Sequence, residues 1–161
     1  MNYTAFLEGL ETDDKGRMFD DILRWSNIHL EFSHNYIQRI FPTDEPSKYD
    51  RTLKPVTNDD VLSIIQSERA KSNIGIAYLK LLSLWKLDGE NYKNTKIYRY
   101  WNKDNNHNHL RITRMLKCFR LIQMNAELKD VSNRLSYLLD HHGLKISKKT
   151  EEIWRANFYY G

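Results

Sequence analysis

Cysteine is almost missing from this chain of 161 residues: Cys118 stands alone, so no disulfide can staple the fold, and a reduced compartment is expected. Long apolar runs are missing too. The longest apolar stretch, Ile74–Leu87, is interrupted by Lys80, Ser83 and Lys86, well short of the ~18 residues a membrane span needs. The first fourteen residues are acidic and lack the apolar centre of a signal peptide. These absences lead to the expectation of a cytoplasmic, intracellular chain. Proline is confined to positions 42, 46 and 55, which marks one loop and leaves the rest of the chain free to be helical. No segment alternates with period two between turn dipeptides, so strands are not expected.

Chemistry is missing in the same way. His29 and His34 are five apart and do not share a helical face as a zinc motif requires. The run from Glu11 to Gly16 resembles a calcium loop only faintly, since Lys15 occupies the fifth position and Ile22 replaces the closing acid. There is no Gly-rich phosphate loop and no CxxC pair. His107-Asn108-His109 lacks the further ligands of a metal nuclease, and Cys118 has no base in view. No enzyme, metal or cofactor is therefore expected. A general-base role for His34 or His107 has no partner in the sequence.

What is present is an ordinary globular composition, 40% hydrophobic and 29% charged, long enough for one domain around one core. Helical spacing of apolar residues, with caps, predicts an all-α domain of six to eight helices. They cover 17–26, 27–41, a segment opened by Thr57, 72–87, 106–122, 125–142 and 147–159. The second is read as one continuous helix with Leu30, Ile37 and Phe41 on a face and His34 beside them. The fourth is apolar nearly all round and so expected to be buried. Residues 90–105 fit a short helix or a packed loop.

Charge is unevenly placed. Residues 1–31 carry seven acids against three bases, a net −4, while the whole chain is +4. Within 93–120 eight bases, among them Lys93, Lys96 and Arg99, face Asp104 alone. Such a segment either packs beside the acidic N-terminus or meets an anionic partner. Its aromatics, including Tyr98, Tyr100 and Trp101, are of the kind that stack on bases, which gives a nucleic-acid-binding reading. A second cluster is sharper. On a wheel over 106–120, His107, Arg111 and Arg114 lie within about 60° of one another. Buried arginines need carboxylates, which the acidic N-terminal helices could supply. Left open, the pair would receive a phosphate or a peptide carboxylate. With His34, Tyr36 and Gln38 from the second predicted helix, these residues form the candidate site for a short peptide or other small anionic ligand.

The two stretches that hold these residues also carry a resemblance. The first runs Leu30-Glu31, then His34-Asn35-Tyr36-Ile37-Gln38-Arg39-Ile40-Phe41-Pro42 and Glu45-Pro46-Ser47. The second is Asn106-His107-Asn108-His109-Leu110-Arg111-Ile112-Thr113-Arg114-Met115-Leu116-Lys117. Together they resemble the conserved domain of the opioid growth factor receptor family, with flanking positions agreeing in order across essentially the whole chain. Arg39 departs from it, since the family commonly has tryptophan there. Asn35 often corresponds to an acid, and the glycine common after the second stretch is missing. The resemblance implies a single receptor-like domain without catalytic residues. Animal members are described as receptors for an endogenous opioid pentapeptide with nuclear or perinuclear placement, so nuclear or peripheral membrane association is implied only by that likeness.

Overall fold

The computed structural model describes residues 1–94 and 100–160. Among them the chain forms nine α-helices, one 3-10 turn and no strand. The helices are α1 (Tyr3–Leu7), α2 (Phe19–Leu23), α3 (Asn27–Phe32), α4 (Ile37–Ile40), α5 (Asn58–Gln66) and α6 (Glu68–Leu84), followed after the turn Asn91–Lys93 by α7 (His107–Leu121), α8 (Asn125–His141) and α9 (Lys148–Asn157). The all-α expectation holds. The count exceeds six to eight because α1 is a helix of its own and the stretch 27–41 is two helices rather than one.

That break is the main departure from the expected pattern. Neither glycine nor proline lies between Asn27 and Phe41, yet Ser33 is extended (φ −90°, ψ 134°) and α3 stops there. The carbonyls left open at the end of α3 are taken by side chains distant in sequence, described below. Tyr36, fully buried, adds its own hydroxyl to the Leu30 carbonyl at 2.8 Å. Leu30, Ile37 and Phe41 all reach the core, but by way of the break rather than along one helix.

Elsewhere local signals are obeyed. Thr57 caps α5, accepting from the Asp60 N–H at 3.2 Å, while the Asp60 carboxylate accepts from the Thr57 N–H at 2.9 Å. Asp13 folds the turn before α2, accepting from the N–H groups of Lys15 and Arg17, and Gly16 takes the left-handed φ of 78° that the turn needs. Helix α6 begins earlier than expected, behind the Ser67 cap, and ends before Asp88-Gly89. It is not buried all round, since Ile76 and Leu79 are exposed.

The helices converge on α7, which packs against α4, α8 and α9, while α1 lies on α5 and α6. Trp85, Trp101 and Trp154 sit at the centre with no exposed surface. Their indole N–H groups donate to the Asn108 side chain, the Trp85 carbonyl and the Thr113 hydroxyl, at 2.9, 2.8 and 2.8 Å. A buried donor without a partner costs about 1–3 kcal/mol, so these bonds fix how the tryptophans pack. Cys118 is fully buried in α7, where burial pushes its thiol up to about 12. It is a core residue and not a nucleophile. No described helix is long and apolar enough to cross a membrane.

Candidate functional site

Helix α7 is opened by Asn106, whose side chain accepts from the Asn108 N–H at 2.9 Å. The helix then presents His107, Leu110, Arg114 and Lys117 at three- and four-residue spacing, so they share one face. This face forms one wall of a cleft of about 800 Å³. The size suits a small molecule, for which pockets run from about 300 to 1,000 Å³. The loop from Thr43 to Tyr49 makes the facing wall, His34, Ile37 and Gln38 contribute from the segment around α4, and Lys149, Thr150 and Ile153 from the start of α9.

The structure divides the two arginines. Arg111 is buried and its guanidinium is committed. Nη1 donates to the Leu30 carbonyl and the Asn108 side chain, and Nη2 to the carbonyls of Glu31 and Ser33. The planar fork thus closes the end of α3 and lies over the Tyr36 ring, 5.4 Å from its centre. The Glu31 carboxylate stands 4.0 Å away, so backbone carbonyls rather than acids are its main partners. Arg114 is different. Its Nε donates to the Phe41 carbonyl at 3.1 Å, and among the described residues its two terminal nitrogens have no hydrogen-bond partner. Burial lowers its pKa below the ordinary arginine value, with Cys118, Tyr3 and Glu45 acting the other way.

The acidic N-terminal segment serves a residue that the sequence offered only as a departure from the family pattern. Arg39 is fully buried. Its Nε and Nη2 donate to the Asp14 carboxylate at 2.6 and 2.8 Å, Nη2 stands 2.8 Å from Asp50, and Nη1 donates to the Asn35 carbonyl at 2.6 Å. Asp13 lies 3.8 Å from Nε. The bond from Arg39 holds Asp14 below the usual aspartate value. Three acids around one buried base would signal this hub, but only the fold brings positions 13, 14 and 50 to position 39.

Of the other expected site residues, Tyr36 is buried beneath Arg111 and does not line the cleft. Gln38 lines it but is almost wholly buried. Its amide N–H donates to the His34 carbonyl at 3.1 Å, and its Oε1 has no partner among the described residues. His34 and His107 meet edge to face at the cleft's end, with ring centres 5.4 Å apart. His107 Nε2 lies 2.7 Å from the Glu31 carboxylate, a close approach without the geometry of a hydrogen bond. Loss of water around its ring, together with Arg111 and His107, pushes the His34 imidazole below the ordinary histidine value. The cleft wall is rich in bases, with Lys48, Lys117 and Lys149 beside the arginines and Glu45 as the acid. Lys117 donates to both Glu45 oxygens, at 3.1 and 2.8 Å.

Of the residues of the nucleic-acid reading, Lys93, Tyr100 and Trp101 are among those the structure describes. Trp101 has no exposed surface, and the Tyr100 hydroxyl donates to the Leu84 carbonyl. Neither ring forms an open stacking platform. Lys93 is exposed but paired with Glu90 at 2.8 Å. Lys96, Arg99 and Tyr98 lie outside the described residues. Among the described residues no cluster of histidine, cysteine, aspartate and glutamate could hold a metal ion.

Residues 1–132 match the family model described as the opioid growth factor receptor conserved region. The opioid growth factor receptors of Mus musculus and Rattus norvegicus are each 31% identical over 113 residues, which is 63% of this chain. Those residues span only 18% of the mouse protein and 19% of the rat protein. No solved structure matches. The matched region takes in α1 to α7 and much of α8, including both stretches that build the cleft, and the chain belongs to the opioid growth factor receptor conserved-region family.

Proposed function

We propose that this chain is a non-enzymatic binding module whose ligand site is the cleft between α7, the 43–49 loop and the start of α9, and that it takes a small anionic ligand such as a short peptide. One observation carries the reading. Arg114, whose two terminal nitrogens have no hydrogen-bond partner among the described residues, lines a cleft whose bases outnumber its acids. At the two buried arginines, Arg39 and Arg111, both terminal nitrogens are engaged, so the open fork of half-buried Arg114 is the exception. Ile37, Leu110 and Ile153 add apolar wall for the rest of a ligand. The relatives' name, opioid growth factor receptor, supports looking first at ligands of that kind.

Calorimetry with short opioid-like peptides is the direct test. Saturable binding that an Arg114→Lys variant weakens supports the reading, and no heat or thermal stabilisation at about millimolar ligand contradicts it. Nucleic-acid binding by 93–120 has its own test, retardation of a probe that weakens steeply with salt. Among the described residues of that segment Lys93, Lys103 and Arg120 are exposed, but Trp101 is buried and the Tyr100 hydroxyl is engaged.

A further inference from the structure

We infer that the anion suited to this cleft is a phosphomonoester carried on a small molecule. The inference rests on the anion-cleft reading above and narrows it. Two features separate a phosphate from a carboxylate.

The first is charge. Lys48, Arg111, Arg114, Lys117 and Lys149 line the cleft against Glu45, and with Arg111 set aside because its guanidinium is committed to carbonyls, four bases stand against one acid, an excess of three. A carboxylate brings one negative charge, whereas a phosphomonoester brings roughly 1.5 to 2 at neutral pH. The second is direction. The Arg114 fork is steadied by the bond from its Nε to the Phe41 carbonyl, and its terminal nitrogens are free to grip two oxygens of one group. Lys149 and Thr150 approach from another element, as the second and third residues of the ten-residue α9. The start of that helix favours negative charge on its own account. A flat carboxylate has no oxygen left for α9 once both are on Arg114. A tetrahedral phosphate has a third. Glu45, already resting on Lys117, is an internal competitor at the same wall. Beside these groups, Ile37, Leu110 and Ile153 offer apolar surface to the ester's organic part.

The test is calorimetry on the full chain with inorganic phosphate, ribose 5-phosphate and acetate, at fixed ionic strength. Phosphate should bind at least about tenfold more tightly than acetate, and ribose 5-phosphate more tightly than phosphate. Lys149→Glu, at an exposed position where folding is not at stake, should weaken phosphate by about tenfold or more. Arg114→Lys should weaken it too, and Glu45→Gln should strengthen it. Acetate binding as tightly as phosphate would overturn the phosphomonoester assignment while leaving an anion cleft in place. Ribose 5-phosphate no tighter than phosphate would overturn the ester. No anion bound at all, or binding indifferent to both Lys149→Glu and Arg114→Lys, would overturn this inference and the cleft reading together.

Discussion

Arg39 is where a single residue governs the most. Its charge is fully buried among Asp14, Asp50 and Asp13, and removing one member of such a cluster leaves the others buried without compensation. Arg39→Met should therefore destabilise the fold by about 3–5 kcal/mol, read as a lower denaturation midpoint in urea. The same hub sets an acid limit. Asp14 is held below the ordinary aspartate value chiefly by its bond from Arg39, and Asp50 by the Thr52 hydroxyl and then Arg39. Groups depressed in the folded state stabilise it above their unfolded pKa of about 3.9, and that contribution is lost as pH falls through their lower folded values. His109 adds to the slope at higher pH. Burial lowers its pKa, so the unfolded chain binds the proton more readily and stability declines as pH falls below about 6.5. Urea midpoints measured from neutral to acid pH should fall in two stages. A midpoint independent of pH over that range would contradict both assignments.

At the scale of elements, α7 shows why some of the fold was legible in sequence and some was not. Its start at Asn106 and the Thr57 cap of α5 are local signals, and each stands where it was expected. The split between α3 and α4 has no local signal. It depends on Arg111, some 80 residues away, whose fork takes three carbonyls at the end of α3. The family signatures were visible as motifs, but their division of labour was not. Asn108 accepts from Trp85 and donates to Glu31, His109 bonds the Trp101 carbonyl, and Thr113 serves Trp154. Most of the second signature thus holds the core, and Arg114 and Lys117 face the cleft. Asn108→Ala, which leaves the Trp85 N–H unpaired in the core, should cost about 1–3 kcal/mol. Thr57→Ala, at an exposed cap, should cost about 1 kcal/mol. Thermal melts of the two variants would rank them, and an equal or reversed order would contradict the central place given to Asn108.

At the scale of the whole molecule, the charge asymmetry resolves into two uses. Of the acids near the N-terminus, Asp13 and Asp14 lie at Arg39 and Glu31 meets the start of α7, which leaves the other bases of α7 and α9 around the cleft with Glu45 opposing them. Protonation of His34, whose imidazole is held below the ordinary histidine value, would add positive charge at the cleft's end, beside Arg111. Affinity for sulfate, whose own charge stays constant, should therefore rise as pH falls below about 6.5, a change that calorimetry at two pH values would detect. The measurement closest to the central claim is a titration of the nitrogen-15-labelled chain with sodium phosphate, followed by amide and arginine side-chain resonances. Saturable shifts confined to Arg114 and Lys117 on α7, the 43–49 loop and the first turn of α9 are predicted. Shifts that never saturate, or that gather on another face such as that of Leu79 on α6, would contradict it.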